Sequence, residues 1–342
     1  MDRKKPGRMR SPEPHKESLW GFRGKTVWDW MDLLIVPAFI ALSVAALSLL
    51  QAWAQQQAEE QRAERERAIE EQRAQNEALQ SYLDQMSHLL LEKNLLGSAE
   101  GDAVFTLAQA RTTTALTQLD GEHNQAVTRF LSDSGLLSEP ALLANAGLQG
   151  AELPKAVLQN ANLASTKLSG ANLADAVLIN ADFSGTEKVG EDIKSTSADL
   201  TRANLSKAAL QGANLARCTL DEANLTDAAL QRADLSSASI QGADLNHAAL
   251  QSSDLSAAAL PGFPPPPGSP PPKIPTNLTD ADLSYAALQS ADLSSADLTD
   301  ADLTDADLSG ADLTNATVTQ EQLDKAESLE GATMPDGQNY EE

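Results

Sequence analysis

Leucine returns every fifth residue through much of this chain, as in "ADLSSADLTDADLTDADLSGADL" from Ala291 to Leu313. A period of five excludes most folds. On an α-helix each step of five turns the side chain by about 140°, so the leucines would wind around the cylinder without forming a stripe. On a simple strand an odd period sends successive leucines to opposite faces. Alanine usually lies two places before each leucine, so within one pentad both point the same way and the residue between them points out. If the chain turns a corner after each pentad, every alanine and leucine faces a common axis. The period thus predicts a coiled β-solenoid with a thin apolar axis and polar outer positions. It does not fix the corner angle.

With the leucine position written i, the pentads fall into three blocks. Leu143 to Phe183 holds nine central residues, Leu200 to Leu260 thirteen, and Leu278 to Val318 nine. Phe183, Ile240 and Val318 replace leucine. Between the first two blocks "GTEKVGEDIKSTS" breaks the phase and reads as a loop over 184–197. Between the last two lies "PGFPPPPGSPPPKIPT", which carries nine of the chain's sixteen prolines. That segment, a loop over 261–276, lacks the N–H groups for a ladder and suits stiff polyproline II. Beyond Val318 only Leu323 keeps register, so 321–342 reads as a helical C-terminal cap and tail.

The N-terminal part differs in kind. Residues 1–27 form a basic tail with eight Lys/Arg in the first 25 residues against three acids, whereas the remainder carries 17 basic and 46 acidic residues. A membrane anchor is expected over 28–54: Leu33 and Leu50 bound eighteen residues without a charge, flanked by Trp28, Trp30 and Trp53 as interfacial tryptophans flank a span. A cleaved signal peptide is the rival reading, since Ala52-Trp53-Ala54 has small-x-small spacing. The charge asymmetry across the span places the N-terminus in the cytoplasm and the body across the membrane, in the periplasm or the thylakoid lumen.

Residues 55–99 read as a helical stalk supported by pairs such as Glu70 with Arg73 and Arg67 with Glu71. Leu79, Leu83, Met86 and Leu90 form its apolar seam, the one place where the stalk offers self-association. Residues 100–139 read as a small helical neck, with helices from Asp102 to about Leu119 and from Glu122 to about Ser132. Its apolar positions are Val104, Phe105, Leu107, Leu116, Val127, Phe130 and Leu131. The solenoid itself is expected over 140–320.

The motif A(D/N)LXX resembles the signature of the pentapeptide-repeat proteins over residues 143 to 318, and "WDWMDLLIVP" and "LQSYLDQMSHLLLEKNL" are similar to the anchor and neck of cyanobacterial members. The resemblance implies a mainly β fold, a right-handed quadrilateral β-helix with four pentads per coil. It places Leu205, Leu215, Leu225, Leu235, Leu245, Leu293, Leu303 and Leu313 on the axis, with Ala213, Cys218 and Ala223 at the small i−2 position. Residues twenty apart then stack, giving columns Asn204, Asn224, Asp244 and Asn214, Asp234, Asp254, and a ladder of Gln211, Gln231 and Gln251. Asp292, Asp297, Asp302, Asp307 and Asp312 crowd the last block and form the candidate interaction surface.

Nothing in the sequence points to catalysis. His15, His88, His123 and His247 lie in four segments without metal-ligand spacing, and the single cysteine, Cys218, excludes a cysteine-cluster site. No phosphate loop occurs, and no cofactor is implied. A formal net charge of −24 argues against direct nucleic-acid binding. The expected function is a non-enzymatic, membrane-tethered module that binds or spaces proteins not named by the sequence. The alternative implied by the resemblance is DNA mimicry, since some family members match a duplex in shape and charge and engage DNA gyrase. "PPPPGSPPPKIP" offers a further reading as bait for an aromatic groove.

Overall fold

In the computed structural model, which describes residues 27–139, 141–189, 192–259 and 273–341, the pentads coil so that each outward residue at i−1 pairs in parallel with the one a full turn later. Gly147 pairs with Lys167, Glu152 with Asn172, Val157 with Val177 and Asn162 with Asp182. The spacing of twenty means four pentads per coil and four flat faces. Each central residue donates its N–H to the next coil (Leu205 to Asn224, 2.7 Å), while the residue before it donates to the previous coil (Asn204 to Ala171, 2.8 Å). These ladders leave few interior backbone groups without partners.

The corners have one recurring geometry. The N–H at i−2 of each pentad donates to the preceding central carbonyl, as Ala213 does to Leu210 at 3.0 Å. At nearly every corner the residue two places after the central one takes a positive φ, such as Gly212 at 66°, Lys207 at 58° and Arg232 at 60°. Such a turn suits glycine best, yet most corners here use other residues. Each non-glycine corner costs of order 1 kcal/mol, so the ladder and the axis impose the conformation.

Two insertions leave the coil without breaking it. Lys167 pairs with Asp199, thirty-two residues on, so twelve residues are extra there; Ser239 pairs with Asn277, thirty-eight on, so eighteen are extra. The first contains an antiparallel hairpin of β1 (Thr186–Val189) and β2 (Asp192–Ser195), where the sequence predicts a plain loop. The second closes on β3 (Ala258–Ala259) and β4 (Lys273–Ile274), also antiparallel. The polyproline run between β3 and β4 lies outside the described residues, as does Leu260. The ladder position after Ile240 that the repeat assigns to Leu260 is held by Asn277 and Leu278, because Ile240 N–H donates to Asn277 O at 2.7 Å. Both insertions follow the same stack of pentads, since Asp182, Asn214, Asp234 and Asp254 lie in one column. They therefore leave by the same corner, three coils apart. At the root of the first there is no room for a side chain: a Cβ on Gly185 would meet Ser165 Oγ and, at 2.8 Å, the Thr196 carbonyl.

The C-terminal end departs from the expected helical cap. A single turn, α4 (Gln320–Leu323), is followed by return to the ladder, with Asp307 paired to Ser328 and Asp312 to Thr333. The spacing is now twenty-one, so α4 absorbs one extra residue and shifts the register. Leu329 and Ala332 continue the core beyond Val318, with Met334 packed against it. Gln322 closes the end. Its Nε2 donates to Leu298 O at 2.7 Å and Ala301 O at 2.9 Å, and its Oε1 accepts from the Thr319 amide and hydroxyl.

The chain divides into two compact units, Met1–Glu70 and Glu71–Glu342. The first contains most of α1 (Val27–Glu92), including Pro37, and one stretch long and apolar enough to cross a membrane, none of it buried. Phe39 and Leu49 are each about 70% exposed. The basic tail lies outside the described residues. In the second unit the end of α1 packs with α2 (Ala103–Gln118) and α3 (Gly121–Asp133). The buried seam of α1 is Tyr82, Met86 and Leu89, with Leu79, Leu83 and Leu90 only partly covered. The shift from the expected seam comes from Tyr82, whose hydroxyl meets Thr112 Oγ1 at 3.0 Å and whose ring lies edge-on to Phe130. Leu107, expected inside, is exposed. Arg73 pairs with Glu77 at 3.7 Å, rather than with Glu70, and both side chains are solvated, so the pair adds little. Asn124 is fully buried and its Nδ2 donates to Leu116 O, Leu119 O and Glu152 O. It ties the neck to the first coil.

Candidate interaction surface

The inward residues named from sequence all lie on the axis. Leu205, Leu215, Leu225, Leu235, Leu245, Leu293, Leu303, Leu313, Ala213, Cys218 and Ala223 are each buried. Cys218 is 1% exposed, and its thiol lies 3.6 Å from the Phe183 carbonyl. Burial pushes that thiol far above the ordinary range, which removes the thiolate that reactivity needs. The larger departures from alanine at i−2 keep their hydroxyls bonded: Thr166 donates to Leu163 O and Ser253 to Leu250 O, each at 2.7 Å.

The five aspartates of the candidate surface are already engaged within the coil. Oδ1 of Asp292, Asp297, Asp302, Asp307 and Asp312 accepts the N–H of the residue two places on, at 2.8 to 3.0 Å. The same bond recurs at Asn204, Asn214, Asn224, Asp234, Asp244 and Asp254. Asn and Asp before leucine are thus Asx-turn residues that guide the chain toward the next corner, and they do not converge on a ligand. Hydrogen bonds from the Thr304 hydroxyl and amide hold the Asp302 carboxyl below its ordinary range. Burial pushes Asp307 up, but the Ser309 hydroxyl and amide and Gln289 outweigh it and leave that carboxyl lowered too. Carboxyls depressed in the folded state stabilise it above their unfolded value of about 4, and that contribution is lost as pH falls through the folded value. We expect the shaft to lose stability in this acid range, and Asp302→Asn, which keeps the acceptor, to shrink the loss. Thermal melts of both proteins between pH 6 and about pH 2.5 would check this.

The four faces differ. The second (Asn172, Asn204, Asn224, Asp244, Asp282, Asp302) and the fourth (Asp182, Asn214, Asp234, Asp254, Asp292, Asp312) are Asx columns, and the first is mixed. The third carries Val157, Val177, Ala209, Ala229, Ala249 and Ala287. Beside this column run Gln211, Gln231, Gln251 and Gln289, whose Oε1 atoms are buried without a hydrogen-bond partner. Ile179, Gln211, Gln231 and Gln251 line a groove of about 580 Å³, which also reaches Asn180, Gly212, Arg232 and Ser252 at the corner. The glutamine ladder is legible in the sequence. The apolar column beside it escapes a reading by charge, although its signal is present as "AVL" or "AAL" at every fourth pentad.

The described histidines stay apart. His88 reaches Glu92 at 3.1 Å, His123 Nδ1 lies 2.7 Å from Asp120, and His247 stacks on Tyr285 with centroids 4.9 Å apart. Among the described residues no group of three His, Cys, Asp or Glu side chains is placed to hold a metal.

A family model described as "Pentapeptide repeats" matches residues 156–187, 198–236, 229–262 and 276–315 in eight copies. No curated protein matches the chain. Among solved structures it is similar to HetL, a pentapeptide repeat protein involved in heterocyst differentiation regulation from Nostoc sp. strain PCC 7120. The identity is 29%, over 58% of this chain and 86% of that one, with a TM-score of 0.27. It is similar to Rfr23 from the cyanobacterium Cyanothece 51142 at 25% identity, over 40% and 82% of the two chains, with a TM-score of 0.24. It is also similar to QnrB1, a plasmid-mediated fluoroquinolone resistance protein, at 15% identity, over 56% and 90%, with a TM-score of 0.27.

Proposed function

Because the repeat region of this chain belongs to the pentapeptide-repeat family, we propose that the protein is a non-enzymatic interaction module, tethered to a membrane through α1 and presenting its shaft to protein partners. The observation that carries this reading is the apolar stretch of α1. Ile35, Phe39, Ile40, Leu42, Val44, Leu47, Leu49, Leu50 and Trp53 all stand exposed on one helix, an arrangement that water penalises and a bilayer satisfies. The shaft adds flat faces and a fully packed axis, which suit recognition of another surface better than enclosure of a small substrate. The charge asymmetry across the span supports a shaft outside the cytoplasm.

The test is fractionation followed by labelling. The chain should stay with membranes through an alkaline wash, and recovery in the soluble fraction would overturn the tether. With Cys218→Ser as background and Asp300→Cys at an exposed corner, a membrane-impermeant maleimide should label intact cells. Labelling only after lysis would keep the tether and put the shaft in the cytoplasm or the thylakoid lumen, which fractionation of the membranes separates. Only a cytoplasmic shaft would make DNA mimicry by the acidic second and fourth faces the better account. In wild-type protein the same reagent should leave Cys218 unmodified until the shaft is unfolded.

A further inference from the structure

We propose that the third face is a self-association surface, on which a second copy of this chain docks with the two shafts parallel and related by a twofold axis along their length. The first argument is what this face forgoes. On the second and fourth faces nearly every rung carries an Asx turn, yet Val157, Val177, Ala209, Ala229, Ala249 and Ala287 form none. Asp307 restores the motif only at the next rung, where it accepts from Ser309. In a chain with a formal net charge of −24, six consecutive rungs without a charge at i−1 or i+1 let two copies approach without opposing columns of carboxylates.

The second argument is the fit of the face to itself. Each rung offers a small residue at i−1 and a long one at i+1: Ala209 with Gln211, Ala229 with Gln231, Ala249 with Gln251, Ala287 with Gln289. A twofold along the shaft sets the small row of one copy against the long row of the other at every rung, and sets Val177 against Ile179. The corners follow the same rule. Asp227 and Arg232 are both exposed, lie at opposite edges of one rung, and make no ion pair among the described residues. The twofold brings Asp227 of each copy to Arg232 of the other, and no rung then places like charges together.

The third argument is pitch, and it selects the occupant. The rungs repeat at about 4.8 Å. An extended peptide laid along the groove presents one side every ~6.7 Å and falls out of step after two rungs. A helix repeats at ~5.4 Å and drifts more slowly. A second shaft has the same pitch and stays in step along its whole length. A strip ~25 Å long and ~10 Å wide offers roughly 250 Å² per copy, less than the ~800 Å² of a stable partner. The dimer is accordingly weak and concentration-dependent. This inference does not depend on the tether.

Purified full chain in detergent, in a Cys218→Ser background, provides the test. A chain carrying Ala229→Cys is mixed with a differently tagged chain carrying Gln231→Cys and treated with a short bismaleimide at rising concentration. The 229-to-231 product should form and should exceed either like pair. The equivalent pair on the fourth face, Asn214→Cys with Ala216→Cys, neither of them buried, should give none. Adding Ala209→Asp, Ala249→Asp and Ala287→Asp should reduce the product at least tenfold without lowering the melting temperature, because aspartate at this position forms the Asx turn found on neighbouring faces. Asp227→Arg should reduce it severalfold, and Arg232→Asp added to it should restore it. Absence of the product, equal product from the fourth face, or product untouched by the three aspartates would each overturn the proposal. Failure of the charge pair alone to respond would overturn the parallel twofold.

Discussion

Phe183→Ala is expected to destabilise the shaft by about 3–5 kcal/mol. Phe183 is the largest fully buried side chain and sits where a leucine stands in most other pentads. Its removal leaves a cavity that cannot collapse, because the backbone on both sides is held in place. Phe183 N–H donates to Asn214 O at 2.8 Å, and its carbonyl accepts from Ala198 at 2.9 Å across the root of the first insertion. Phe183→Leu, the residue that the coil uses elsewhere, should cost less than about 1.5 kcal/mol. Denaturant unfolding of the two variants separates these outcomes. Equal losses would mean that the insertion has already loosened the axis.

Gln322→Leu is expected to open the C-terminal end at a cost of about 2–4 kcal/mol, since it leaves the Leu298 and Ala301 carbonyls and the Thr319 amide without their partner in a buried setting. The consequence reaches past stability. An unprotected last coil presents a row of free N–H and C=O groups, which is a template for another chain. The variant should therefore scatter light on standing at concentrations where the parent stays clear, while Gln322→Glu, which keeps the acceptor for Thr319, should fall between. A variant that unfolds more easily but never associates would show that the segment after α4, with Leu329 and Ala332 in the core, seals the end by itself.

Much of this architecture is legible in the sequence because one repeat sets several distances at once. The five-residue period defines the axis, and the twenty-residue stack places Asn204 over Asn224 and Asn214 over Asp234. The neck helices are visible through their apolar spacing and the Asp120-Gly121 break, where Asp120 caps α3. The corners are not, because the positive-φ position accepts Lys207, Arg232 and Tyr285 as readily as Gly212, and a residue type that varies freely carries no signal. Re-entry at the C-terminus is hidden by its one-residue shift, although Ala332 and Met334 keep the small-x-large spacing out of phase. Asn124 escapes for another reason. Its role depends on carbonyls from the end of α2 and from the first coil, and no local pattern announces such a junction. On the shaft surface, the abundance of aspartate draws the candidate site to acidic columns. The geometry shows those residues shaping turns, and leaves the uncharged third face as the surface that stands apart.

The shared exit corner of the two insertions has a practical meaning. Their lengths, twelve and eighteen residues, are not multiples of five, yet the winding on either side stays in step. That corner is a splice point where cargo of arbitrary length can be grafted and displayed at a spacing set in whole turns. Evolution or an engineer can thus decorate one edge of the rod, as pegs on a rail, while the opposite corner stays clear.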